Sequence, residues 1–185
     1  MMKKNNFEVS LSLLAVILGA VFLRLIPHIP NISPVGALAL FSGAMIPSWG
    51  GFALPLIAMV VSDLFLGFHA TIPFVYGSFI LIAGIGYLLR KKMSPVKIAV
   101  GSLSGSILFF LITNFGVWLT SPLYEKTTNG LLKCFFMGLP FFRNTVIGDA
   151  FYTVLFFVGY RVLRLLFVLM LPPALGRGRH VGNTV

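Results

Sequence analysis

Residues 71–119 read TIPFVYGSFILIAGIGYLLRKKMSPVKIAVGSLSGSILFFLITNFGVWL, two long apolar segments separated by a short basic stretch. Each segment has about the 20 residues that an α-helix needs to cross a hydrocarbon core of about 30 Å. The stretch between them contains Arg90, Lys91, Lys92 and Lys97, and such clusters are retained on the cytoplasmic side of a membrane. This part of the chain therefore predicts two membrane-spanning helices joined by a cytoplasmic turn.

The composition indicates that the rest of the chain is also embedded in a membrane. Of its 185 residues 58% are hydrophobic and only 10% are charged, whereas soluble domains carry roughly 25% charged residues. Retention of lysine and arginine on the cytoplasmic side explains the formal charge of +10 better than binding of nucleic acid does. The single cysteine, Cys134, excludes an internal disulfide and a cysteine-based metal cluster.

Three basic clusters set the predicted topology. Lys3 and Lys4 precede the first apolar segment. The second cluster is the basic stretch at 90–97, and the third begins at Arg161 and Arg164. Only six spans put all three clusters in the cytoplasm. We therefore predict an all-α, six-helix transmembrane domain over 1–171 in the inner (cytoplasmic) membrane, with both termini cytoplasmic and a disordered cytoplasmic tail over 172–185. The predicted spans are 7–25, 34–47, 51–67, 71–90, 96–119 and 145–164.

Two segments depart from the pattern of a simple span. Segment 34–47 has about 14 residues, or roughly 21 Å, too short to cross the membrane, so it and the proline-rich stretch before it are expected to border a cavity. The connection 120–144 is the longest, and its apolar part, 131–139, predicts either an interfacial anchor or a lid. Small residues recur at four-residue spacing, as in Ala15 and Gly19, which suits either internal packing or docking of a membrane partner.

Asp63 and Asp149 are acidic side chains inside apolar segments. A carboxylate at membrane depth is costly unless it faces a partner or a polar cavity, so these two mark a functional site. In the predicted topology, further polar residues lie near the outer ends of the helices, and we predict that they form an outward-facing pocket for a small solute. The predicted binding residues are Arg24, His28, Asn31, Asp63, His69, Asn114, Trp118, Asn144 and Asp149.

Several of these residues have a structural alternative. Arg24 suits an anion clamp, a partner for one of the two aspartates, or a side chain that extends to the head groups. For Asp63 the alternative role is a helix cap. For Asp149 it is a negative side chain in the first turn of the last helix, and for Trp118 it is a member of the aromatic belt. A transition metal would be bound by His28, His69 and Asp63, although histidines without close spacing are weak evidence for such a site.

Four stretches of the sequence resemble known families of membrane proteins. Residues 24–44, RLIPHIPNISPVGALALFSGA, and 62–67, SDLFLG, resemble the substrate-binding S-components of energy-coupling factor (ECF) transporters. Together with 113–118, TNFGVW, and 140–149, PFFRNTVIGD, they resemble more closely an uncharacterised bacterial membrane-protein family related to those S-components.

The resemblance implies a six-helix bundle that captures a vitamin-like micronutrient or a metal ion from outside, with no cofactor and no enzymatic activity. It also implies a separate transmembrane coupling subunit, docked at Ala15 and Gly19, and two cytoplasmic ATPases. The chain has no phosphate-binding loop of its own. Two other classes stay open: a membrane-embedded enzyme using Asp63 or Asp149 with a histidine on a lipid-linked substrate, and a structural subunit of a membrane complex.

Overall fold

Six α-helices form the described part of the protein. The structure is a computed structural model that describes residues 18–26, 29–46 and 48–170, so Ala15, His28 and the predicted tail 172–185 lie outside the described residues. We number the helices α1 to α6 in chain order. They are α1 over 18–25, α2 Val35–Met45, α3 Gly50–Leu66, α4 Ile72–Leu89 followed by the 3₁₀ turn Arg90–Lys92, α5 Pro95–Thr120 and α6 Thr128–Met170.

The prediction of an all-helical membrane protein is confirmed at this level. Three helical stretches are long and apolar enough to cross a membrane: Ile72–Lys92, Pro95–Thr120 and Thr128–Leu163. Large apolar side chains such as Leu88 and Phe151 are exposed on them, as expected for helices that face lipid. The helices α2 and α3 are apolar but shorter. The six-span count depends partly on residues 1–17, which are outside the described part, and stays a prediction.

The short helix α2 lies at the centre of the bundle. It contacts α3, α4, α5 and α6, and nine of its residues are buried: Val35, Ala37, Leu38, Ala39, Leu40, Phe41, Ser42, Gly43 and Ala44. Eleven residues reach only about 16 Å at 1.5 Å per residue. The short segment is therefore enclosed by protein, as expected for a helix that cannot cross the membrane alone.

Close backbone contact between α2 and α4 explains part of the small-residue pattern. A Cβ atom added to Gly43 would overlap the carbonyl oxygen of Ala83, and one added to Gly86 would overlap that of Leu40. Glycine lets the two backbones approach where any side chain would hold them apart. At the end of α2, Arg90 Nε donates a hydrogen bond to the carbonyl oxygen of Gly43 at 2.8 Å.

The other small-residue pairs differ in their surroundings. Gly101 and Gly105 of α5, which have the same four-residue spacing, pack against side chains of α4 and α2, so internal packing accounts for these two glycines. Gly19 of α1 has open space around it within the described residues. Its predicted role in partner docking stays a prediction.

The prediction of a loop over 120–144 was wrong for most of its length. The turn covers only 121–127, and α6 begins at Thr128 and continues for 43 residues. The hydroxyl of Thr127 accepts a hydrogen bond from the backbone N–H of Gly130 at 3.1 Å, an N-cap that starts the helix. Polar residues and Pro140 suggested a loop, but this segment packs along α5, where Phe110 contacts the rings of Phe135 and Phe142.

The bundle has two chemically different ends. One end carries the C-terminal end of α4, the start of α5 and the later part of α6, with the cations Arg90, Lys91, Lys92, Lys97 and Arg161. The opposite end carries the connections 26–34, 67–71 and 121–127. We call these the basic end and the loop end.

Candidate functional site

A cavity of about 470 Å³ opens at the loop end. Each of the six helices contributes to its walls. Phe79, Ile82 and Phe109 form part of an apolar wall, whereas the polar groups come from the end of α1, from two loops and from the middle of α6. These polar lining residues are Arg24, Asn31, Ser33, His69, Thr145 and Asp149.

Arg24 and Asp63 form an ion pair beside the cavity. Arg24 Nη2 lies 2.7 Å from Asp63 Oδ1, and the Tyr76 hydroxyl donates to Asp63 Oδ2, also at 2.7 Å. The side chain of Asp63 is 1% exposed and that of Arg24 is 15% exposed. Asp63 therefore lies behind Arg24 and does not line the cavity, and both of its carboxylate oxygens have partners.

The guanidinium of Arg24 is held on α3 by further hydrogen bonds. Its Nη1 donates to the hydroxyl of Ser62 and to the carbonyl oxygen of Met59, the latter at 3.4 Å. Of the three interpretations of Arg24, the structure supports the one in which Arg24 is the ion-pair partner of an aspartate, here Asp63. Asp63 also takes part in the cap at the end of α3, but only through its backbone oxygen, which accepts from the N–H of Gly67. Its side chain is bonded to Arg24 and Tyr76 instead.

Asp149 reaches the cavity from the middle of α6. Its Oδ2 accepts a hydrogen bond from the Ser106 hydroxyl at 2.6 Å, and the residue is 6% exposed. The interpretation of Asp149 as a first-turn residue of the last helix was wrong, because α6 starts at Thr128. The carboxylate instead lies against the first turn of α2, where a Cβ added to Gly36 would be 3.1 Å from Asp149 Cγ.

The loop between α1 and α2 is fixed onto α6 beside Asp149. Asn31, which has a positive φ of 67°, donates from Nδ2 to the Thr145 hydroxyl at 3.3 Å. Asparagine tolerates this left-handed conformation better than most residues. Asn144 Nδ2 donates to the carbonyl oxygen of Pro30 at 3.0 Å. Asn31 thus lines the cavity, while Asn144 lies beside it and holds the loop.

His69 lies at the rim of the cavity, in the connection between α3 and α4. Its ring Nδ1 is 2.7 Å from the Thr71 hydroxyl, and its side chain is exposed. The same connection contains Gly67 at φ 92°, a conformation that favours glycine. His28, the other predicted histidine, lies outside the described residues.

Asn114 and Trp118 lie away from the cavity, between α5 and the start of α6. Asn114 Nδ2 donates to the carbonyl oxygen of Phe110 at 2.8 Å, and its side-chain oxygen lies against Gly138. Trp118 Nε1 donates to the carbonyl oxygen of Glu125 at 2.8 Å. Asn114 thus bonds within α5 and packs on α6, while Trp118 bonds to the α5–α6 turn, so the structure does not bring them to the other predicted site residues.

Among the described residues, no group of three or more His, Cys, Asp or Glu side chains is arranged to hold a metal ion. The two oxygens of Asp63 already accept from Arg24 and Tyr76, and a guanidinium beside a carboxylate repels a metal cation. Asp63 is therefore poorly suited to the metal site considered from the sequence.

Four residues of this region were missed by sequence reasoning. Ser33 and Thr145 line the cavity, Ser106 bonds to Asp149, and Tyr76 bonds to Asp63. The position of Ser106, one turn after Ser102, carried a weak signal, since small hydroxyl residues in apolar helices often bond to a polar group on a neighbouring helix. Tyr76 carried no such signal, because a tyrosine near a helix end is equally typical of the membrane interface.

The comparisons with known proteins give one family. The chain matches the family model described as "Family of unknown function (DUF6580)" over residues 3–173. No curated protein and no solved structure matches it. Because the family model covers most of the 185 residues, the chain belongs to the family of unknown function DUF6580.

Proposed function

We propose that this protein is a membrane-embedded receptor that captures a small polar solute for uptake. The observation that supports this most directly is the cavity at the loop end, where Arg24, Asn31, His69 and Asp149 come together from distant parts of the chain. Polar groups inside an apolar bundle are costly to maintain, and they are typical of binding sites and pathways.

The size and lining of the cavity suit a small molecule. Its volume of about 470 Å³ falls within the range of roughly 300–1,000 Å³ that is usual for ligand pockets. Such pockets combine apolar walls with a few polar groups that orient the ligand. Here Phe79 and Phe109 supply part of the apolar wall, and Asn31, Ser33 and Thr145 supply hydrogen-bonding groups.

The charge distribution supports an outward-facing cavity in an inner membrane. Five cations cluster at the basic end, in the loop and helix ends around 90–97 and at Arg161. Such clusters are retained in the cytoplasm, so the loop end, and the cavity with it, would face outside. Six spans with both termini cytoplasmic are part of this proposal.

Uptake would need a separate source of energy, because the sequence has no phosphate-binding loop. We propose a transmembrane coupling subunit with cytoplasmic ATPases. The loops 29–34 and 67–71 border the cavity and would exclude water once a solute is bound. The whole bundle would then reorient against the partner, for which the open surface at Gly19 is the candidate contact.

The test of capture is native mass spectrometry of protein purified gently from its own membrane. Val75 lines the cavity, so Val75→Trp would fill it, whereas Leu81→Trp on the same helix adds the same ring to an exposed position. We expect the wild type and Leu81→Trp to carry a co-purified small molecule, and Val75→Trp to lose at least about 90% of it. A solute retained by Val75→Trp, or absent from the wild type, would contradict the proposal.

A second test addresses orientation. In a Cys134→Ser background, Leu123→Cys reports on the turn between α5 and α6, and Lys91→Cys reports on the basic end; both positions are exposed. We expect a membrane-impermeant maleimide to label Leu123→Cys in intact cells, and Lys91→Cys only after permeabilisation. The reverse pattern would make the cavity face the cytoplasm.

A further inference from the structure

We infer that the cavity selects a solute carrying a positively charged nitrogen, which pairs with Asp149. The inference rests on the proposed function and names the chemical class of its ligand. It follows from the charges that border the cavity and from the hydrogen bonds that those groups already make within the bundle.

The positive charge of Arg24 is already neutralised by protein. Asp63 lies 2.7 Å from its Nη2 and is almost fully buried, so the pair carries no net charge, with the guanidinium as the member nearer the cavity. Nη1 is directed to Ser62 and Met59 of α3. An anionic solute would have to compete with a buried carboxylate for this guanidinium, and freeing that carboxylate would leave a buried charge without its counter-ion.

Asp149 carries the negative charge that remains once Arg24 and Asp63 are paired with each other. Arg24–Asp63 is the single ion pair found within the part of the chain that the structure describes. In that part, Asp149 accepts one hydrogen bond, from Ser106 to Oδ2. With histidine counted as neutral, as in the formal charge of the whole chain, the described groups that border the cavity therefore carry one negative charge, located at a carboxylate that is 6% exposed and lines the wall.

The helix ends around the cavity do not reverse this balance. A helix terminus acts as about half a unit charge, positive at the N-terminal end and negative at the C-terminal end. The first turns of α2 and α4 border the cavity through Gly36 and Val75, and the last residues of α1 and α3 border it through Leu25 and Leu66. Because this effect falls off within one turn, the end that acts on Asp149 is the first turn of α2, and a charge of about half a unit favours the ionised carboxylate without neutralising it.

The remaining lining suits an organic cation with an apolar part. Asn31, Ser33 and Thr145 have oxygen atoms that can accept from an ammonium group. Phe79 and Phe109 belong to the same cavity, and aromatic rings attract a cation while also packing against a hydrocarbon body. An inorganic metal ion would leave this apolar wall without a contact.

The test uses three probes of similar shape and different charge: phenethylamine, 2-phenylethanol and 3-phenylpropionate. Ligand-observed NMR titrations at neutral pH of protein purified in detergent give the dissociation constant of each. We expect phenethylamine to bind at least tenfold more tightly than 2-phenylethanol, and 3-phenylpropionate to bind most weakly. Asp149→Asn should remove the preference, whereas Glu125→Gln, which removes a negative charge from the exposed α5–α6 turn, should keep it.

The preference of the wild-type protein among the probes tests the inference even if Asp149→Asn does not fold. A preference for the anion or the neutral probe, or failure of phenethylamine to bind, would overturn it. So would a preference for phenethylamine that survives in folded Asp149→Asn. None of these results would contradict the proposal that the protein captures a solute, because the comparison of Val75→Trp with the wild type tests that proposal independently.

Discussion

Asp63→Ala is expected to destabilise the bundle by about 3–5 kcal/mol, the usual cost of removing one partner from a buried ion pair. The variant leaves the guanidinium of Arg24, which is 15% exposed, without its carboxylate. Unfolding of the purified protein by heat or by denaturant in detergent would measure the loss. Insertion into the membrane should remain, since the apolar segments are unchanged.

The matched control for this variant removes both charges. Arg24→Leu with Asp63→Ala should recover most of the lost stability, because apolar residues commonly replace a buried pair at little cost. Equal stability of the single and the double variant would show that the uncompensated guanidinium is not the cause. In the single variant the formal charge around the cavity also falls from one negative charge to none, so we expect weaker solute binding although Asp63 does not line the cavity.

Gly86→Ala is expected to be the most disruptive of the small substitutions in α4, and Gly84→Ala is its control. A methyl group at position 86 would overlap the Leu40 carbonyl oxygen and lie 2.9 Å from the backbone nitrogen of Ala44, whereas at position 84 nothing lies within 4 Å. Overpacking costs about 1–3 kcal/mol, and contact with rigid backbone puts Gly86→Ala at the upper end of this range.

Gly84→Ala should be neutral, or stabilising by up to about 1 kcal/mol through helix propensity. Denaturant unfolding of both variants in the same detergent compares them directly. Equal stability of the two would contradict the close approach of α2 and α4. Loss of stability in Gly84→Ala alone would indicate that the outer surface of α4 is covered by a further contact.

The lengths of the apolar runs predicted the bounds of four helices correctly. The predicted spans 34–47, 51–67, 71–90 and 96–119 agree with α2 to α5 to within one or two residues at each end, because the length of an apolar run and its flanking proline, glycine and charged residues are local properties. The start of α6 was missed by about 17 residues, since Pro140 and the polar residues of this stretch are typical of a loop. Its helix depends on the N-cap at Thr127 and on packing along α5, and sequence shows only the first of these.

The candidate site was only partly visible in the sequence. The burial cost of a carboxylate identified Asp63 and Asp149, and topology brought Arg24, Asn31 and His69 to the same end. Topology could not separate residues that line a cavity from those at the same depth that bond locally, as Asn114 and Trp118 do. Nor could it show that Asp63 is paired and Asp149 is not, within the described residues, because that difference depends on side-chain directions in α1, α4 and α5.

The central position of α2 has a consequence for biosynthesis. A segment of eleven residues offers the translocation machinery too few apolar side chains for independent insertion, and the close backbone contact at its Gly43 is with α4, which is synthesised later. We therefore expect α2 to take its final position only after α4 has been synthesised, by docking between helices that are already inserted. The cavity, whose wall includes Gly36 of α2 and Asp149 of α6, should accordingly be complete only after α6 has been synthesised as well.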